Sequence, residues 1–308
     1  MFPSVAKELA SIHNVQLPQQ LFDALGFYRF TSFEDFLEVY RQVGTVIRKH
    51  ADLQLIAQSY LERARAEGAM YIEFMLSPTH SIANGIAFDE QIEAISAAEA
   101  CVPGIHACVI VTALRHHGME EAERVAQLAT SQRHPIIRGF GLAGNELVGA
   151  ISDFQKAYHI AGGAGLGLTA HVGEWGSARS VLQAVECLNL TRVGHGIAAA
   201  RDARIVRELS DRGIGFEICQ AANTTLRAVN VFNRHPIADL VAAGCRVVLG
   251  TDDPAYFRTS IRQEYAAAAE LLSPTQYTGI FSNAVDLAFC GEEIKRQLRA
   301  ADAALRTV

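Results

Sequence analysis

The chain has 308 residues, half of them apolar and 24 of them glycine, enough to bury one large core. Its formal charge of −6, with no cluster of lysine and arginine, excludes a nucleic-acid footprint, which needs a basic face against phosphates, so the expected partner is a small molecule. No apolar run reaches the roughly 18 residues of a membrane span, and Lys7, Glu8 and His13 inside the opening helical pattern do not suit a signal peptide; the expected compartment is the cytoplasm.

The first clear helix is marked by Leu53, Ile56, Ala57, Tyr60, Leu61 and Ala64 at i, i+3, i+4, i+7 spacing, with Gly68 placed for a left-handed stop. A strand over Tyr71–Leu76 follows at once. Further buried strands are predicted over 107–113, 136–142, 167–171, 191–195, 214–219 and 246–251, with helices around Ile92, Val125, Phe154, Val181, Ile205 and Ile237. Pro236 suits a first turn and Gly244 a stop. Strands of continuous apolar character, each followed by a helix and with no linker between, predict one domain over 1–308 built on a parallel sheet covered by helices. The six cysteines form no C-x-x-C pair and mostly sit in apolar runs, so buried thiols are expected rather than disulfides or a sulfur metal site.

Ionisable residues fall where those strands end. Glu73, His171, His195, Glu217 and the pair Asp252 and Asp253 lie at or near predicted carboxyl ends, where a (β/α)₈ barrel gathers its catalytic groups. A single histidine in such a place is usually structural. Several together point to a site, because buried ionisable groups are costly without partners. The plainer alternatives are a helix first-turn carboxylate for Glu174, a turn or cap before Pro254 for Asp252 and Asp253, a buried supporting group for Glu217 and core packing for Met75.

The stretches "GFGLAGNE", "HVGE", "VGHGI" and "LGTDDP", together with "SFEDFLEVY", "EFMLSP" and "SNAVDLAF", resemble the adenosine deaminase family of the amidohydrolase superfamily, and the likeness covers nearly the whole chain. The resemblance implies an α/β fold, a (β/α)₈ TIM-type barrel, holding Zn²⁺. His171 and Asp252 are then zinc ligands, Glu174 the proton donor to the purine ring and His195 the residue that orients the attacking water. Asp253 contacts the substrate, and Gly144 offers its main-chain N–H to a purine nitrogen. The implied reaction is hydrolytic deamination of adenosine or a related 6-aminopurine by a zinc-activated water, releasing ammonia. The chemistry suits these residue types: attack at the ring carbon piles charge onto the neighbouring nitrogen, which an acid can neutralise.

The sequence departs from the family in three places. An H-x-H pair ending the family's first barrel strand supplies two more zinc ligands, and it does not occur here; "FPSVAKELASIHNVQLP" looks like the segment directly after it, so that strand is expected to be absent from this chain. His116 and His117 are adjacent and would face opposite ways on a strand. "EICQAAN" stands where relatives carry C-P-x-S-N, and Gly141 and Asn145 where relatives often have aspartates. Two other readings stay open: a metal-free relative that binds a purine without turnover, and another metal-dependent amidohydrolase, for which no bridging lysine is found on the middle strands.

Overall fold

Alternating β-branched runs and amphipathic helices become, in a computed structural model describing residues 1–131, 134–230 and 234–305, an all-parallel sheet with helices on its outer face. The strands are β1 (Tyr71–Leu76), β2 (His106–Leu114), β3 (Ile137–Ala143), β4 (Gly167–Leu168), β5 (His171–Val172), β6 (Arg192–His195), β7 (Gly215–Ile218) and β8 (Arg246–Leu249). They pair in the orders β1-β2-β3-β4 and β5-β6-β7-β8, always parallel. The two short strands β4 and β5 form one line. Thr169 N–H donates to the Phe140 carbonyl at 3.1 Å and Gly194 N–H to the Ala170 carbonyl at 2.8 Å, so this run bonds β3 with its first half and β6 with its second.

Parallel neighbours need a crossover, and helices supply it. His50–Ala66 precedes β1, stopping before Gly68 at φ +99°, and Phe88–Ala100, Met119–Ser131, Gln155–Gly163, Ala178–Leu188, Ala203–Asp211 and Ile237–Ala242 follow in turn. Val109, Val111, Phe140, Val193, Phe216 and Val247 of the strands are fully buried in one apolar cluster with Ile92, Val125, Val181 and Leu209 of these helices. No helix among the described residues is long and apolar enough to cross a membrane.

The sheet is rolled into a barrel. Glu73 on β1 lies 2.6 Å from the Arg192 guanidinium on β6, although β2, β3 and the β4–β5 line separate those strands within the sheet. Arg192 also lies 2.7 Å from Glu217 on β7, and the ring of Phe289 covers its guanidinium at 3.5 Å. Phe289 fits because the strands carry glycine opposite it: a Cβ on Gly167 would come within 2.2 Å of the ring. Arg192 opens β6, so this cluster closes the amino end of the barrel. Glu73, expected near the site, therefore belongs at the opposite end, and Glu217 is held there with it, its second oxygen accepting a 2.8 Å bond from Thr169 Oγ1. Among the described residues no strand pairs with the outer edge of β1 or of β8.

At the carboxyl end a second apolar cluster forms a roof. Ala6, Tyr28, Phe36, Val39, Tyr256 and Phe257 are buried together, with Trp175 packed against them. Tyr28 stacks on Tyr256 at 4.3 Å between ring centroids. All six cysteines are free; Cys108, Cys219, Cys245 and Cys290 are buried as expected, whereas Cys101 is exposed and Cys187 half-buried.

Candidate active site

Beneath that roof the strands deliver the residues singled out from the sequence. His171 opens β5, Glu174 lies just past it, His195 ends β6, and Asp252 and Asp253 follow β8. His195 at φ +62° and Asp252 at φ +52° sit in the left-handed region, sparsely populated by residues with a side chain and concentrated at functional sites. Gly173, at φ +72°, makes the turn from His171 to Glu174; a Cβ there would lie 2.3 Å from Val181 Cγ2.

His195 is the hub. Its ring meets that of His171 edge-on with centroids 4.8 Å apart, its Nδ1 lies 3.7 Å from Glu174 Oε1, and its Nε2 lies 3.8 Å from Asp252 Oδ2. Burial keeps both imidazoles neutral at pH 7, pushing His195 down to about 4 and, with His195 adding to the effect, His171 down to about 3. The carboxyls move the other way. Burial raises Glu174, and it raises Asp252 well above the usual range, with the neighbouring charges of Asp253 and Glu174 adding to the effect. The Asp252 side chain is only 17% exposed, so the openness of that residue lies mainly in its main chain.

The plainer role holds for Glu217, a supporting group paired with Arg192 and Thr169, and fits less well elsewhere. The helix after Glu174 begins at Ala178 with Ser177 as its cap, leaving Glu174 outside the first turn. Asp253 precedes the short helix Pro254–Phe257 but makes no capping hydrogen bond. Met75 is not core: it is 39% exposed, and since Glu73 on the same strand points into the barrel, so does Met75, with its Cε 3.0 Å from where a Cβ of Gly141 would stand. His116 and His117 lie on a tight turn, Arg115–His117, not a strand, so their rings meet edge-on at 4.6 Å instead of facing apart. Gly144 follows β3 at φ +90°, with His116 so close that a Cβ would lie 2.7 Å from its Nδ1.

Three further participants are not singled out by the sequence. Asn223, fully buried in the helix Gln220–Thr225, donates from Nδ2 to Glu174 Oε1 at 2.9 Å and reaches His195 Nδ1 at 3.0 Å. Glu146, two residues past Gly144, accepts the main-chain N–H groups of Glu174, Trp175 and Gly176 and so holds the loop that carries the acid. The Tyr40 hydroxyl faces Asp253, whose charge is the largest cause holding its proton on. The motif "GNE" contains Glu146, but only the fold shows which main chain it clamps.

The donors present fit zinc. His195, Cys219 and Asp252 each bring one donor atom to within 4.8 Å of the others, the imidazole, thiol and carboxylate types that this ion takes. His171 lies outside that triple, edge-on to His195. Among the described residues no lysine or arginine forms an ion pair with Asp252, whose charged neighbours Asp253, Glu174 and Glu264 are themselves acids, so this carboxyl lacks the compensating charge that a bound cation supplies.

A rolled parallel sheet with imidazole and carboxylate groups converging at its carboxyl end defines the class: a hydrolase barrel of the amidohydrolase type. The adenosine deaminase family model matches residues 1–302, and the chain belongs to that family. It is 41% identical over 281 residues to an adenine deaminase of Chelativorans sp. (strain BNC1), covering 89% of this chain and 86% of that one. The crystal structure of an adenine deaminase from Arthrobacter aurescens matches with a TM-score of 0.90 and 27% identity, covering 100% of this chain and 95% of that one. The fold also matches an amidohydrolase from Burkhoderia ambifaria with bound Zn, at a TM-score of 0.88 and 24% identity, over 99% and 86% of the two chains.

Proposed function

We propose that the protein hydrolyses the exocyclic amine of a 6-aminopurine, preferring the free base adenine, and releases hypoxanthine and ammonia. The observation that carries this reading is the placement of a buried carboxyl with a raised pKa, Glu174, beside a neutral imidazole, His195, and a cation-deficient carboxylate, Asp252. An acid, an orienting group and a metal donor in one water-poor cleft are what attack on an aromatic amine requires.

In this reading His171 and Asp252 would hold Zn²⁺, with Cys219 close to Asp252. Zinc lowers the pKa of a water it binds from about 15.7 toward about 7. Glu174 gives its proton to the ring nitrogen beside the attacked carbon, which a carboxyl kept protonated by burial is suited to do. His195 orients the incoming oxygen. Asp253 and the Gly144 N–H face the purine edge and fix which ring carbon is presented. The roof over Phe36 and Tyr256 keeps bulk water out.

Adenine is favoured over adenosine on two grounds. The relatives with which identity is 35 to 41% are named adenine deaminases. At the mouth, the Met75 side chain offers an apolar contact that cannot pair a ribose hydroxyl, and a contact that leaves such a group unpaired discriminates against it. The test is ammonia release by the zinc-supplemented protein on adenine, adenosine and AMP. We expect kcat/KM for adenine at least about tenfold above the others, since one unmet hydroxyl costs roughly 1–3 kcal/mol. No ammonia from any 6-aminopurine, with purine binding intact, identifies a non-catalytic binder instead.

A further inference from the structure

We propose that His235, unused so far, is a positioning residue: it fixes the Asn223 carboxamide and, through it, both the tautomer of His195 and the oxygen on which Glu174 carries its proton. The inference rests on the deaminase reading of this site and adds the protonation pattern that reading needs.

One donor in this network cannot change. The main-chain N–H of Ile237 donates to His235 Nδ1 at 3.1 Å, so that nitrogen presents its lone pair and the proton of the neutral ring is on Nε2. Nε2 lies 3.3 Å from Asn223 Oδ1. A donor there needs an acceptor, and only the oxygen end of a carboxamide accepts, so the amide is held one way round. Its two N–H groups then point at Glu174 Oε1, at 2.9 Å, and His195 Nδ1, at 3.0 Å.

Both partners must answer as acceptors. His195 therefore carries its proton on Nε2, the nitrogen facing Asp252, and presents a donor to the incoming oxygen rather than a base. Glu174, engaged through Oε1, keeps Oε2 for the proton it gives to the ring. Turned over, the amide would draw both protons away from the substrate, onto His195 Nδ1 and Glu174 Oε1. No water competes for these bonds: Asn223 is 0%, His195 2%, Glu174 7% and His235 8% exposed. An unsatisfied group in such a place costs more than a bond contributes, so the network is held as a unit.

The experiment is histidine side-chain ¹⁵N NMR on the zinc-loaded protein, read beside steady-state kinetics. The parent is expected to show His195 protonated at Nε2 with Nδ1 bare. His235→Phe should give a mixture of tautomers and lower kcat about 10- to 100-fold with KM changed less than about threefold, the mark of misplaced catalytic groups. His235→Gln, which can donate to the same oxygen, should restore both. If His235→Phe fails to fold, Asn223→Asp decides: a carboxylate there has no donor and should force the Nδ1-protonated tautomer. A parent protonated at Nδ1, or a folded His235→Phe with tautomer and kcat unchanged, overturns the proposal. A parent that deaminates no purine overturns the deaminase reading instead, since the NMR result does not depend on turnover.

Discussion

Glu174 and Asp252 are both carboxyls raised by burial, yet the proposed function makes one a proton donor and the other, with His171, a metal ligand, and substitutions at Glu174 and His171 should separate donor from ligand. Glu174→Gln deletes the transferable proton while keeping shape and a donor. It should cut kcat by about 10²- to 10⁴-fold, the worth of a general acid, with KM and zinc content near those of the parent. His171→Ala should lower zinc content together with rate, measured by elemental analysis. If both variants deaminate adenine as well as the parent, the assignments are wrong. At this scale the sequence was readable where a residue type is scarce and sits at a strand end, as for His171, His195, Asp252 and Asp253. It was silent on what Asn223 does, although that residue closes the stretch "EICQAAN", and on His235: their partners emerge only when the fold places their polar atoms 3.0 Å from His195 and 3.3 Å from Asn223.

Among the elements, the strand β6 carries the most. Four residues, Arg-Val-Gly-His, place an ion-pair hub at the amino end, a core valine, a glycine for close approach and the site histidine at the mouth. Gly194 is needed because a Cβ there would lie 2.5 Å from the His171 ring. Arg192 is kept charged by Glu73 and Glu217 despite its burial, with its side chain 4% exposed. Removing one partner of a buried ion cluster leaves the others uncompensated and costs about 3–5 kcal/mol. Arg192→Met should therefore lower the unfolding free energy by that much, read as a fall in the urea midpoint with the slope of unfolding unchanged, while leaving the His195 environment intact. A loss under about 1 kcal/mol would show that the cluster is solvated. Strand positions were legible from apolar runs alone, to within two residues. The break of one run into β4 and β5, and the seating of Glu73 at the amino end instead of the mouth, were not, because periodicity gives the facing of a residue but not its height in the barrel.

For the whole molecule the open question is closure. The barrel type was legible because seven apolar runs alternate with helices. How the edges of β1 and β8 are covered was not, since no apolar run among these residues marks a strand between them. The Met1 amine is buried and faces Asp253, and its carbonyl accepts a 3.1 Å bond from the Tyr28 hydroxyl, so any residues fused ahead of Met1 enter beside the site. A fused strand carrying H-x-H would pair the free edges of β1 and β8 and bring two imidazoles toward Asp252. Such a fusion is expected to unfold at a higher temperature and to retain one zinc per chain through dialysis, with faster release of ammonia from adenine. The same fusion carrying A-x-A should keep the gain in thermal stability and lose the zinc, which separates closing the barrel from completing the ligand set. Catalytic zinc takes at least three protein ligands as a rule, so His171 and Asp252 alone should hold it weakly. If the chain beginning at Met1 already retains one zinc and matches the fusion in rate, Cys219 completes the set and the added imidazoles have no part in it.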